Sequence, residues 1–362
     1  MSKVILSPKV ILGMSGGVDS STAAFLLKEQ GFEVQGLSIL LFETRGRRDP
    51  RSCCSLEAVN GAAETARLIG IGHRVVNARA EFMEKVIKPF AEAYAMGQTP
   101  NPCILCNKYI KFPILLEEAE KSGAEYIATG HYARVERDGG VLLKTARDEK
   151  KDQSYVLYEL RKEELSRLLL PLGIYGKGEI RRMAKEKALP VFERPESQEI
   201  CFVEGRDYLP FVHLFAPGVP REGPIYDESG REIGRHKGIY AYTIGQRKGL
   251  GAASPEPLYV YKIEPEKNAV HVGKRERAFF RSFTVKDLNW LVEKDLTAPL
   301  KADIKIRSMM KPAPGTISYL GAGALKVDFD LPQWAPAPGQ SAVFYDGDTV
   351  LGGGIIEQVE DN

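Results

Sequence analysis

The chain has 362 residues, 43% of them hydrophobic and 27% charged, with a formal net charge of +2. That length supports two or three domains with a full core, and the near-neutral balance excludes a protein that holds nucleic acid by global charge, so any RNA site must be a local basic patch. No apolar run is long enough to span a bilayer, residues 1–8 lack the apolar core and cleavage pattern of a signal peptide, and five cysteines are too few for a disulfide framework; the expected compartment is the cytoplasm.

Val10-Ile11-Leu12 reads as a buried strand and residues 22–27 as a helix. Between them runs Gly13-Met14-Ser15-Gly16-Gly17-Val18-Asp19-Ser20-Ser21. A strand, a tight Gly/Ser turn and a helix start make an anion site: glycines let the backbone approach a guest, N–H groups point at it, and hydroxyls add donors. Phosphate suits such a site; a turn with no ligand is the plain alternative. The pattern is neither a Walker loop, since no Gly-Lys-Ser/Thr follows, nor Gly-x-Gly-x-x-Gly.

Residues 32–40 read as a second strand, 45–52 as a charged surface loop and 58–69 as a helix. A third strand is expected at 74–76, a helix kinked by Pro89 at 80–96, a helix at 110–121 and a fourth strand at 126–129. This alternation predicts an α/β doubly wound parallel sheet covered on both faces. Ligands gather beyond the C-terminal strand ends of such sheets, where the loop after Leu12, Ile39 and Gly130-His131 all fall. Residues 151–189 read as helix broken at Gly173 and Gly176. From Pro224 the texture turns to short alternating runs: a hairpin at 259–263 and 269–272, then strands at 302–307, 316–320, 325–329, 341–345 and 355–359 that suggest a small barrel. The predicted domains are 1–204 (α/β), 205–277 (small, mixed/β) and 278–362 (β-barrel).

Pro100 and Pro102 place Cys103 and Cys106 in a loop or at a helix start. A helix N-terminus with Lys108 and Lys111 nearby would favour thiolate at Cys106. Cys201 has apolar neighbours, so a buried inert thiol reads as well as a reactive one. Cys53 and Cys54 receive no role. Arg181, Arg182, Lys185 and Lys187 form one basic face; Arg235-His236-Lys237 and Gln246-Arg247-Lys248, with Tyr240 and Tyr242 between, form another. Both fit RNA, and both fit ordinary solvated surface.

Ser15–Ser20 resembles the loop of ATP pyrophosphatases, which split ATP between its α- and β-phosphates. The same order continues through Asn101-Pro102-x-x-x-Cys106-Asn107, Ala128-Thr129-Gly130-His131-Tyr132, Lys151-Asp152-Gln153-Ser154-Tyr155, Ile200-Cys201-Phe202, Thr243-Ile244-Gly245-Gln246-Arg247-Lys248-Gly249 and Pro338-Gly339-Gln340-Ser341. Over nearly its whole length the chain resembles the tRNA-specific 2-thiouridylase family. That resemblance implies that ATP, with Mg2+, adenylates the C2 oxygen of the wobble uridine in a tRNA anticodon loop and that sulfur displaces AMP. It further implies that Gly13, Met14, Ser15, Gly16, Gly17, Val18, Asp19, Ser20, Ile39 and Gly130 contact ATP. Asn101, Pro102 and Cys103 would meet the target base, and His131, Lys151, Asp152, Gln153, Arg307, Ser308 and Gln340 the tRNA. Cys106 would be the nucleophile-side cysteine, and Cys201 would carry a persulfide charged by a sulfur donor or a relay protein, free sulfide being the alternative sulfur source where a cluster is the carrier.

One position departs from the family. Where Asn-Pro-Asp is common, this chain has Asn101-Pro102-Cys103. A carboxylate proposed as general base is lost, and a Cys103-x-x-Cys106 pair is gained. With Cys201 as third thiol, a [4Fe–4S] cluster with one open iron for sulfide becomes an expectation; Cys103 as a small loop residue is the plain alternative. Two rival functions use the same residues: a pyrophosphatase acting on a small-molecule acceptor, which needs no cysteine pair, and a non-enzymatic RNA binder, against which the intact loop speaks.

Overall fold

The computed structural model describes residues 7–42, 56–190, 200–203, 207–252, 254–293 and 297–360; Cys53 and Cys54 and the whole of the expected loop at 45–52 lie outside them. Those within 1–86, 103–206 and 348–350 make one compact unit, and those within 87–102, 207–347 and 351–362 another.

The first unit is built on a five-stranded parallel sheet of order β3-β2-β1-β4-β7, with β1 Lys9–Gly13, β2 Glu33–Leu40, β3 Gly72–Asn77, β4 Tyr126–Ala128 and β7 Leu168–Leu169. β1 lies between β2 and β4, so Val10 and Leu12 are fully buried. Burial on both faces is why that strand reads as an unbroken apolar run. Helix α1, Val18–Glu29, and helix α2, Leu56–Ile69, follow β1 and β2 in the crossover pattern a parallel sheet requires. The strand order reverses between β1 and β4, the place where doubly wound sheets open a crevice.

Two expectations are corrected here. Residues 151–189 are not one broken helix: a 3-10 turn Ser154–Leu157 and a helix Lys162–Arg167 lead into strand β7, and a second helix spans Lys177–Glu186. A two-residue edge strand is too short to print a periodicity. A hairpin, β5 Arg134–Glu136 and β6 Leu142–Lys144, also went unread.

Prolines shape two helices in one way. Helix Arg79–Phe82 passes through a π turn, Met83–Ile87, into helix Lys88–Ala95, and helix Pro102–Cys106 passes through a π turn, Asn107–Lys111, into Phe112–Ser122. Pro89 and Pro113 each stand just after such a turn, four residues beyond Lys85 and Tyr109 inside it. A proline ring clashes with the carbonyl four residues back and offers no N–H to it; the wider turn moves that carbonyl aside. Pro102, at a first helical position, costs nothing. Of the two placements expected for Cys103 and Cys106, the helix start is therefore the one observed.

The second unit carries a four-stranded sheet of order β10-β11-β8-β9 (Tyr259–Glu264, Ala269–Gly273, Gly223–Tyr226, Glu232–His236). It also carries a closed antiparallel barrel, β12-β15-β14-β13-β16-β17 and back to β12. Those strands are β12 Phe279–Trp290, β13 Leu300–Lys305, β14 Ala313–Gly321, β15 Ala324–Trp334, β16 Ser341–Asp346 and β17 Thr349–Val359. Closure removes sheet edges, and Phe283, Ile304, Val327, Phe329 and Phe344 fill the interior. Among the described residues no helix is long and apolar enough to cross a membrane.

Phe344 is fully buried against Trp290, ring centroids 5.6 Å apart. Phe344→Ala should cost about 3–5 kcal/mol of barrel stability, read as a lower denaturant midpoint with the slope unchanged.

Candidate functional site

The Gly/Ser turn leaves β1 at Gly13 and enters α1 at Val18. Gly16 takes φ +69°, and a Cβ there would sit 2.0 Å from the Ala58 carbonyl oxygen. Only glycine fits. Gly130, just past β4, is also too close for a side chain: its Cβ would lie 2.9 Å from the Ser20 nitrogen. Two glycines far apart in sequence thus let three backbone segments meet at the first turn of α1, whose leading N–H groups have no intrahelical acceptor.

Hydroxyls brace the turn. Ser20 Oγ accepts from the Ser15 N–H at 3.1 Å and donates to the Gly17 carbonyl at 3.2 Å. Met14 N donates to the Leu37 carbonyl (2.8 Å), and Ser38 Oγ donates back to the Met14 carbonyl (2.8 Å). With that proton committed, His73 Nε2, 2.9 Å away, is the donor to Ser38 Oγ. This latch ties the end of β2, and with it half-buried Ile39, to the turn.

Asp19 faces two partners that the sequence reading missed. Tyr132 donates its hydroxyl to Asp19 Oδ1 at 2.6 Å, and Lys177 Nζ lies 2.7 Å from both carboxylate oxygens. Lys177 stands 158 residues downstream of Asp19; Gly176-Lys177 opening a helix is its only local signal.

His131 stacks on Phe112 with centroids 6.2 Å apart, and its Nδ1 lies 2.8 Å from Thr129 Oγ1. Burial, and next the Lys111 ammonium, push its pKa down to about 3. His131 is therefore a neutral imidazole at physiological pH.

Cys103 is exposed in the first turn of its helix, Cys106 is buried three residues on, and Cys201 is half-buried. Phe202 anchors the Cys201 segment edge-on against Phe82, centroids 5.7 Å apart. Lys108 does not face a thiolate alone. Burial opposes its charge, but the Glu159 carboxylate at 2.7 Å outweighs that and holds its pKa above the ordinary lysine value. Among the described residues no three His, Cys, Asp or Glu side chains gather as a metal site. Cys103, Cys106 and Cys201 are not gathered into such a group, so the structure does not show the expected [4Fe–4S] site.

Other expected contact residues are held by their own chain. Asp152 accepts from Ala146 N (3.0 Å), Ser154 N (3.2 Å) and Ser154 Oγ (2.8 Å), and Gln153 Oε1 accepts from Tyr132 N (2.9 Å). In the second unit Arg307 donates to the carbonyls of Ile244 (3.0 Å) and Ala335 (2.9 Å). Gln340 donates to the Thr99 carbonyl (2.7 Å), two residues before Asn101. Lys151 and Ser308 are partly exposed. Tyr240, Tyr242 and His236 are buried, with hydrogen bonds to the carbonyls of Lys237, Leu250 and Asn268, so they are core rather than a stacking surface. Arg181, Arg182 and Lys185 are exposed on their helix.

Three family descriptions match in succession. The tRNA methyl transferase HUP domain covers residues 8–205, the tRNA methyl transferase PRC-barrel domain 216–274, and the aminomethyltransferase beta-barrel domain 280–356. The chain is 46% identical over 359 residues to a tRNA-specific 2-thiouridylase MnmA from Clostridioides difficile, covering 98% of this chain and 99% of that protein. It is 45% identical to the one from Pelotomaculum thermopropionicum, covering 98% of each. To MnmA 1 of Caldanaerobacter subterraneus it is 47% identical, covering 97% of this chain and 98% of that protein.

Two measurements check this geometry. Gly16→Ala should weaken ATP binding by about tenfold or more in calorimetry while far-UV dichroism is retained, because the new methyl meets backbone. In a histidine NMR titration, the His131 ring signals should hold their neutral shifts down to about pH 5, two units above the pKa of about 3.

Proposed function

The chain belongs to the tRNA-specific 2-thiouridylase family, and on that premise we propose that it uses ATP to replace the C2 oxygen of the wobble uridine of tRNA with sulfur. The observation that carries this reading is the meeting of Gly16, Gly130 and the first turn of α1, an anion site made of backbone, in a chain similar to 2-thiouridylases from end to end. A small-molecule acceptor is not favoured, because the likeness runs through both β-rich domains as well as the nucleotide fold.

The phosphates of ATP rest on the N–H groups opening α1, and the hydroxyl of exposed Ser15 adds a donor while Ser20 braces the turn. Asp19, a partly exposed carboxylate at the mouth of the turn, would hold Mg2+ together with the nucleotide that brings it. When bound, the ion screens phosphate charge during displacement. The uridine must leave its stack to reach this site, which an anticodon loop permits.

Adenylation forms a bond from uridine O2 to the α-phosphorus, and the bond to pyrophosphate breaks with its electron pair. That turns a poor leaving group into AMP. The terminal sulfur of a Cys201 persulfide then attacks C2 and AMP departs. Cys106 thiolate attacks the Cys201 sulfur, closes a Cys106–Cys201 disulfide and releases the sulfur as 2-thiouridine. Hydrosulfide attack on Cys201 of that disulfide restores both persulfide and thiolate; a donor protein with a reductant does the same. Asn101-Pro102-Cys103 meet the base, and His131, Lys151, Asp152, Gln153, Arg307, Ser308 and Gln340 the tRNA. The parts are 1–204 for adenylation and 205–277 and 278–362 for holding tRNA, and the compartment is the cytoplasm, where tRNA is.

The test is incubation with Mg–ATP, sulfide and unmodified tRNA, scored for AMP and 2-thiouridine. Wild type should make both. Cys106→Ser and Cys201→Ser should make no 2-thiouridine, and Cys103→Ser should stay within about tenfold of wild type. Thiolation confined to anaerobically purified, iron-containing protein and lost with Cys103→Ser would overturn the persulfide route.

A further inference from the structure

Lys177 is a buried ammonium, 9% exposed, at the first position of helix Lys177–Glu186. Its placement is built rather than incidental. Its own N–H donates to Asp148 Oδ2 at 3.0 Å, and Gly176 N donates to Glu179 Oε2 at 2.7 Å, so both ends of its peptide are fixed. Ile180 and Ala184 of the same helix are fully buried. The side chain crosses the Tyr132 ring, Nζ 5.5 Å from its centroid, and reaches both oxygens of Asp19.

The ion pair with Asp19 holds the ammonium there, but Asp19 does not need it. The N-terminus of α1 already carries partial positive charge and favours Asp19 in its first turn without help. A lysine beside it adds a second positive source, so one carboxylate is shared between a helix end and a full ammonium. The Asp148 and Glu179 carboxylates are spent on the N–H groups of Lys177 and Gly176; of the groups at the phosphate-shaped turn itself, the α1 terminus and the ammonium outweigh Asp19. That is the balance a site needs if it is to receive more negative charge.

We propose that Lys177 is the pyrophosphate-binding cation of this site. Asp19 holds the ammonium over the turn in the absence of nucleotide; when Mg–ATP enters, the carboxylate turns to the metal and Lys177 moves to the β- and γ-phosphates. In the adenylation step the electron pair of the breaking bond passes to the oxygen leaving with pyrophosphate, and Lys177 neutralises that growing charge without giving up a proton. A lysine suits the task, since its flexible stem carries a point charge from one oxygen group to another. This inference rests on the ATP-dependent reading above.

Calorimetry on the full chain tests it, with Mg–pyrophosphate and AMP as separate probes. Lys177→Met should weaken Mg–pyrophosphate binding by about tenfold or more and leave AMP binding unchanged, with Lys177→Arg recovering part of the loss. Asp19→Asn supplies a readout that a merely structural ion pair would not move. With metal chelated, it should bind pyrophosphate about tenfold more tightly than wild type, because the competing carboxylate is gone. Wild-type pyrophosphate affinity in Lys177→Met, equal loss of AMP and pyrophosphate, or no gain in Asp19→Asn overturns the proposal. Thiolation of tRNA by wild type, run beside these, judges the function separately: its failure with intact Lys177 effects would sink that reading alone.

Discussion

Close approach of bare backbone at the start of α1 is the constraint on which the rest of the first unit depends. Gly16 stands against the Ala58 carbonyl and Gly130 against the Ser20 amide, each at a distance that no side chain allows. The consequence is chemical. Once side chains are excluded, what remains at the surface is peptide N–H and the hydroxyl of exposed Ser15, an environment selective for oxyanions. The His73–Ser38–Met14 latch extends the same logic to β2: it stiffens the turn from below without intruding on its upper face. Rigidity here has a purpose, because donors aimed before the reaction need no reorganisation during it.

Much of this was legible in the chain itself. Strands β1 and β2, the turn, α1 and the hairpin β10–β11 announce themselves because their patterns are local: an apolar run, a glycine cluster, an alternation split by Pro265 to Asn268. Strand β7 did not, since a two-residue edge strand exists only through its pairing with β4. Asp19 was legible as a turn residue, but its partners Tyr132 and Lys177 were not, because contacts across 113 and 158 residues leave no periodic trace. Tyr240 and Tyr242 show the opposite error. Aromatics among basic residues imitate an RNA surface, while burial makes them core.

The departure at Cys103 is resolved by the same reasoning. A Cys-x-x-Cys spacing reads as a ligand pair only if both sulfurs face one point. In a helix that begins at Pro102, one thiol emerges in the first exposed turn and the other is drawn into the core at the onset of the π turn that Pro113 requires. Cys106 is thus placed by a proline seven residues on, and its neighbour Asn107 is pinned by a 2.9 Å bond to the Val156 carbonyl. Cys106 is held by packing while Cys103 is exposed, and with Cys201 they form no three-ligand group among the described residues.

Residues expected to touch tRNA invite a further step. Asp152 spends both carboxylate oxygens on Ala146 and Ser154, and a carboxylate turned toward RNA would meet phosphate of its own sign. The geometry supports positioning: Asp152 sets the turn that presents Lys151 on one side and Gln153 on the other. Gln153 in turn grips both backbone groups of Tyr132, through its side-chain oxygen at 2.9 Å and its own N–H at 2.7 Å. Tyr132 donates to Asp19. Three hydrogen-bonded residues, Gln153, Tyr132 and Asp19, therefore run from the segment expected to meet RNA to the carboxylate expected to meet the metal. Such a chain gives the segment around Gln153 and the turn that carries Asp19 one hydrogen-bonded frame.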